Sequence, residues 1–141
     1  LGEMGFQSNY PNLGIGCAYI LSAQTLFVID TNYMFAGKTS TDFPTKSTLN
    51  IALGMEHYVL PIIPIRMGFY TNNSYYPENS NGDHLNGIGF TASIGYESGA
   101  NSLSFGIDYQ TGSGESTNNG NVTDHLDYSG ITLLISGSSN I

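Results

Sequence analysis

The sequence predicts an all-β protein, an antiparallel up-and-down transmembrane β-barrel with about seven strands in a single region spanning residues 1–141. Apolar and polar residues alternate along seven segments, and the polar phase consists mainly of Gly, Ser, Thr and Asn. Only 10% of the residues are charged, whereas a soluble domain has about 25%. Strands that face lipid on one side and a polar lumen on the other have this composition.

The first two predicted strands are joined by a short turn at residues 22–24. In residues 13–21, LGIGCAYIL, the larger apolar side chains alternate with Gly and Ala. In residues 25–35, TLFVIDTNYMF, an apolar phase alternates with one that contains Asp30 and Asn32. We expect Asp30 and Asn32 to face the lumen, and residues 36–47 to form a polar connection.

Residues 48–71 predict a central hairpin of two strands joined at Leu60-Pro61. The alternation places Glu56 opposite Arg66 on the polar face, which Tyr58 and Tyr70 share. This pair either offers Arg66 to a carboxylate ligand or fixes the register of the hairpin. The second interpretation is favoured, because paired charges usually satisfy each other.

The last three strands are predicted at residues 84–96, 102–110 and 128–137, with a short turn at 97–101. Their lumen-facing phase carries Asp108 and Gln110, which with Asp30 and Asn32 either complete a polar network around Arg66 or face water. Residues 72–83 and 111–125 are predicted loops, and the second, rich in Gly, Ser and Asn, is expected to be mobile.

Short and long connections alternate, which orients the predicted barrel with its short turns in the periplasm and its long loops outside. Five of the eleven acidic residues, Asp42, Glu78, Asp83, Glu115 and Asp124, fall in the predicted long loops, whereas Glu97 is the exception in a short turn. The outward aromatic residues predict two girdles at the membrane interfaces. They are Tyr19 and Tyr96 near the short turns, and Tyr33, Phe35, Phe69 and Tyr109 near the long loops.

Several function classes are disfavoured. No apolar run reaches the roughly 18 residues of a transmembrane helix, and three basic residues with a net charge of -8 argue against nucleic acid. Cys17 permits no internal disulfide. His57 is predicted outward and His84 and His125 at loop edges, where solvated charge is expected rather than a cation site, so we expect neither catalysis nor a metal or cofactor.

Two stretches resemble a known family. Residues 54–74, GMEHYVLPIIPIRMGFYTNNS, resemble a strand pair of the FadL-type outer-membrane transporters for long-chain fatty acids and aromatic hydrocarbons, and residues 13–35 resemble that family's Leu-Gly-x-Gly-x-x-Tyr strand and the strand after it. The likeness covers most of the chain but only the C-terminal half of the family, which implies seven strands of a fourteen-stranded barrel. The family's N-terminal plug and kinked strand have no counterpart here.

A second departure concerns the end of the sequence, since the chain ends Ser-Ser-Asn-Ile where the family usually ends in an aromatic residue. Both departures suggest that the sequence is truncated, or that the barrel has been put to another use. The chain also begins at Leu1 without an initiator Met or a signal peptide, so we expect a processed form or a fragment of a longer chain.

The leading functional hypothesis is passive uptake of hydrophobic small molecules, such as fatty acids, across the outer membrane of a Gram-negative bacterium. The expected partners are membrane lipid, lipopolysaccharide and a hydrophobic ligand. The alternative is an anchor or scaffold subunit whose loops or periplasmic rim bind other proteins, and a plug upstream of Leu1 would favour transport over it. A third interpretation is an eight-stranded barrel that uses residues 1–7; a soluble β-sandwich is less favoured, because its wet face would carry Lys, Glu and Arg.

Overall fold

A computed structural model describes residues 11–37, 46–74, 82–99, 101–118 and 121–139. Seven strands form one antiparallel sheet in which each strand pairs with the next along the chain. They are β1 (Asn12–Ser22), β2 (Thr25–Met34), β3 (Thr48–Leu60), β4 (Ile63–Asn72), β5 (Gly82–Ser98), β6 (Asn101–Asn118) and β7 (Asn121–Ser139). The predicted all-β, up-and-down architecture is confirmed, whereas the sheet is open, with β1 and β7 at its edges. In these ranges no helix is long and apolar enough to cross a membrane.

The three short turns lie close to their predicted positions. Residues 23–24 join β1 to β2, and residues 61–62 join β3 to β4, one residue later than predicted. Between β5 and β6, Ser98 pairs with Asn101, and Gly99 adopts a φ of 50°, which favours glycine. Glu97 therefore lies in strand β5 opposite Ser102, not in the predicted turn at 97–101.

The last three strands are longer than predicted. β5 begins at Gly82, β6 continues to Asn118 and β7 starts at Asn121, so most of the predicted mobile loop at 111–125 is a paired ribbon. The prediction was wrong because small polar side chains weaken the alternation signal, while backbone pairing such as Gly112 with Tyr128 continues without it. Residues 1–10, 38–45 and 75–81, which include the suggested eighth strand, Asp42 and Glu78, lie outside the described residues.

The sheet has two faces of different chemistry. The apolar face is formed by alternate residues such as Ile15, Leu53, Phe90 and Leu133, and the polar face by the residues between them. Among the described residues no Leu, Ile, Val, Met, Phe or Tyr is buried, and Leu133 is 77% exposed. A soluble sandwich packs such an apolar face against a second sheet. In the described part of the chain, nothing packs against this one.

Candidate functional site on the polar face

The β3–β4 register brings the two central charges together. Glu56 pairs with Arg66 across the ladder, and Arg66 Nε donates a 2.6 Å hydrogen bond to Glu56 Oε2. The predicted ion pair is therefore confirmed as a contact. Both side chains are partly exposed, at 37% for Arg66 and 26% for Glu56, so the pair lies on an accessible surface.

Glu97 is a third member of this group, which the sequence interpretation missed. Arg66 Nη2 donates to Glu97 Oε1 at 2.6 Å, and the Tyr58 hydroxyl donates to Glu97 Oε2 at 2.7 Å. The Glu97 backbone N–H also donates to the carbonyl of Ile62 at 2.8 Å, which holds the end of β5 against the β3–β4 turn. Continuing the alternation of β5 one step beyond Gly95 would have placed Glu97 on the polar face.

A second polar group lies further along the same face. The Tyr70 hydroxyl donates to Asp108 Oδ1 at 3.0 Å, and Gln110 Nε2 donates to Asp108 Oδ2 at 2.7 Å. Tyr70 reaches from β4 to β6 over Gly89 of β5, where a Cβ atom would collide with the tyrosine ring. Asp108 is only 8% exposed, and these hydrogen bonds satisfy its buried oxygens.

Asp30 and Asn32 remain apart from both groups. Among the described residues, neither of them hydrogen-bonds to Arg66, so the alternative of a single polar network around Arg66 is not formed. Both are exposed on β2, and the carboxylate of Asp30 lies where a Cβ atom at position 16 would be. The glycine at that position therefore leaves room for Asp30.

A cavity of about 400 Å³ lies along this face. Its polar lining includes Asp30, Glu56, Arg66, Tyr70 and Thr91. Its apolar lining includes Leu26, Val28 and Ala52, which the ladder carries on the same face. A binding surface with both kinds of lining holds an apolar body and orients a polar group.

The predicted girdle residues lie on the apolar face. Tyr33 packs edge-on against Phe35, with ring centroids 4.8 Å apart, and Phe69 contacts Phe90 at 5.0 Å. At the short-turn end of the sheet, Tyr19 is 64% and Tyr96 is 48% exposed. These residues form what we call the upper belt (Tyr33, Phe35, Phe69 and Tyr109) and the lower belt (Tyr19 and Tyr96).

The two belts can be compared with the rows of the sheet, where a row is the set of residues that pair directly with one another across successive strands. Both belts cross these rows in the same direction. The row of Tyr109 reaches β2 at Ile29, four residues before Tyr33. The row of Tyr19 reaches β5 at Ala92, four residues before Tyr96. Each comparison spans four strand steps, so between these end members both belts drift toward the short turns by an average of one residue per strand. The drift of the upper belt is uneven, because Phe69 lies in the row of Tyr109.

The histidines and the cysteine form no catalytic arrangement in the described ranges. His57 lies on the apolar face, with Nδ1 2.9 Å from Thr25 Oγ1. The prediction that His84 and His125 lie at loop edges was wrong, since they belong to β5 and β7, and His125 Nδ1 is 3.5 Å from Glu115 Oε1. Cys17 is exposed. No three His, Cys, Asp or Glu side chains of the described segments are grouped closely enough to hold a metal ion.

Comparison of the chain with family models, with curated proteins and with solved structures found no match. The resemblance to FadL-type transporters therefore stays a prediction from the motifs quoted above.

Proposed function

We propose that this chain forms part of an outer-membrane β-barrel that takes up hydrophobic small molecules passively. The observation that carries the proposal is the contrast between the two faces of the described strands. Between the belts the apolar face is bare and uncharged, whereas the polar face carries the ion pairs of Arg66 with Glu56 and Glu97. Lipid would cover the first face and the second would line the lumen. The mixed cavity beside Arg66 would then contact the passing solute.

The drift of the belts supports a tilted barrel. Strand residues advance about 3.3 Å each, and neighbouring strands lie about 4.8 Å apart. The average drift of one residue per strand between the end members of each belt therefore corresponds to a tilt of about 35° between the strands and an axis perpendicular to the belts. Outer-membrane barrels tilt by about 35–45°. Two parallel belts at this tilt are expected of a sheet that meets two flat membrane interfaces.

Strand direction limits how such a barrel can close. Seven strands alternate, so β1 and β7 run in the same direction. Antiparallel closure then needs an odd number of further strands whose first and last members run the opposite way. A second copy in the same membrane orientation fails this condition, because its own edge strands run parallel to β1 and β7. Seven preceding strands, as the FadL-type resemblance implies, satisfy it.

Two neighbouring residues of β5 test the assignment of the apolar face to lipid and of the polar face to the lumen. Ala92→Cys and Ser93→Cys, each made in a Cys17→Ala background of the full-length chain, replace small side chains that point to opposite faces. A lipid-phase thiol reagent should label position 92 strongly and position 93 weakly. Equal labelling would contradict the assignment of the apolar face to lipid.

Transport is tested by uptake of a radiolabelled apolar solute into cells that make the protein, with cells carrying the empty vector as the control. Faster entry with the protein is expected. Unchanged entry would contradict the uptake proposal even if the cysteine labelling succeeded.

The scaffold role remains a second candidate, favoured by one observation. Residues 111–118 of β6 and 121–129 of β7 extend beyond the upper belt as a polar ribbon that also pairs with β5. Such a ribbon offers a surface to another protein at the outer side. Replacing residues 113–127 by a short turn should leave uptake intact if the barrel is a transporter, whereas loss of a co-purifying partner would favour the scaffold.

A further inference from the structure

We infer that the polar face discriminates against carboxylates and favours neutral or cationic apolar molecules. This inference rests on the proposed uptake function and names its substrate class. Glu97 changes the chemistry of the central ion pair.

The guanidinium of Arg66 lies between two carboxylates. Glu56 Oε2 accepts from Nε and Glu97 Oε1 accepts from Nη2, both at 2.6 Å. With Glu56 alone the pair would be neutral, but with Glu97 the group carries a formal charge of -1. An incoming carboxylate would therefore have to displace one of two short, charge-assisted bonds.

Within the described strands, Arg66 has no basic neighbour that could bind an incoming carboxylate in its place. In the described strands it is the only Lys or Arg, and the same face also carries Asp30 and Asp108. Arg66 thus shares its face with the carboxylates of Asp30 and Asp108 besides those of Glu56 and Glu97, which contact it. Clefts lined by one sign of charge concentrate the field and raise the local concentration of counter-ions, and acidic linings select cations in membrane pores.

The cavity supplies the apolar part of the recognition. Leu26, Val28 and Ala52 line it beside the charged residues, since Leu26 lies directly across the ladder from Glu56 and Ala52 from Asp30. An apolar molecule with a neutral or positive head can use both kinds of lining. A fatty acid could bury its tail there, but its carboxylate would meet like charges, which costs affinity.

The test uses equilibrium binding to the full-length protein in a neutral detergent at low ionic strength and near-neutral pH. Three probes share one alkyl chain and differ in the head: decyltrimethylammonium, decanol and decanoate. We expect decyltrimethylammonium to bind tightest and decanoate weakest. Glu97→Gln keeps the side-chain size and an oxygen acceptor. It should lower the ratio of decyltrimethylammonium affinity to decanoate affinity by about 3- to 10-fold.

Two further variants make the result specific. Asp127→Asn removes the same charge from an exposed position of β7 on the opposite face and should leave the ratio unchanged. Asp30→Asn, exposed and lining the cavity, should narrow the ratio as Glu97→Gln does, and it serves if Glu97→Gln fails to fold.

The outcomes separate the two proposals. Decanoate binding as tightly as decyltrimethylammonium, or an unchanged ratio in Glu97→Gln and Asp30→Asn, would overturn the carboxylate discrimination and leave uptake standing. No binding of any probe, together with no uptake of the apolar solute by cells, would overturn the uptake function itself.

Discussion

The two faces of this sheet follow different rules. On the polar face, particular atoms meet: Arg66 contacts Glu56 and Glu97 at 2.6 Å, and Tyr70 reaches over Gly89 to a buried Asp108. On the apolar face, side chains such as Leu53 and Met67 are 45% and 49% exposed. The contacts of the polar face therefore require particular residues at particular positions. The apolar face requires only that its residues be apolar.

The largest effect on stability should come from placing a charged residue in the middle of the apolar face. Leu53→Arg places a charge on the apolar face between the belts, near the centre of the proposed bilayer. We expect a loss of about 2–4 kcal/mol in the free energy of unfolding, measured by urea titration of the full-length chain in lipid vesicles. Leu53→Phe, which keeps the class, should lose far less, and equal losses would contradict the lipid assignment.

The next effect concerns close packing on the polar face. Gly89→Ala adds a Cβ atom where the ring of Tyr70 lies, so the ring must move and its bond to Asp108 weakens. We expect a loss of about 1–3 kcal/mol in the free energy of unfolding, from urea midpoints.

A matched control for Gly89→Ala is Gly14→Ala, because a Cβ atom at position 14 meets only the carbonyl of Thr31, at 3.8 Å. Its loss should be much smaller. If Tyr70→Ala removed the ring and Gly89→Ala still cost as much in that background, the two residues would not be coupled as described.

Removing the charge of Arg66 from its group with Glu56 and Glu97 should cause a smaller loss in the free energy of unfolding. Arg66→Gln leaves Glu56 and Glu97 facing each other, and because these side chains are about a third exposed, we expect only about 1–2 kcal/mol after allowance for solvent screening. The free energy of unfolding, measured with and without added salt, reports it. Salt should reduce the loss, and a salt-independent loss would point to packing instead.

Glu97 also decides whether reversing the central pair is tolerated. Glu56→Arg combined with Arg66→Glu exchanges the two charges, but Glu97 would then face the new carboxylate. Stability should recover fully only when Glu97→Gln is added. Full recovery in the double variant alone would mean that Glu97 contributes little to the group.

The smallest effect should come from a swap within the apolar class. Met67→Leu keeps volume and hydrophobicity at an exposed position, and a change within about 0.5 kcal/mol in the free energy of unfolding is expected. A loss as large as that of Gly89→Ala would mean that this face packs against protein rather than lipid.

Sequence reasoning succeeded wherever alternation was strong. The β3–β4 hairpin was predicted with its pairing of Glu56 and Arg66, because a period of two residues and one short turn leave a single register. It failed in the ribbon of β6 and β7, where Gly, Ser, Thr and Asn carry little pattern. It also placed Glu97 in a turn, since the charge and the following Ser-Gly masked the continuing strand.

By itself, the sequence determined the strand count, the two chemical faces and the aromatic belts, because all three follow from local periodicity and composition. Only the tertiary structure decided which side chains meet across three strands. Arg66 joins Glu97, and Tyr70 crosses Gly89 to reach Asp108. Such contacts depend on the relative register of several strands at once, which no single segment of the chain encodes.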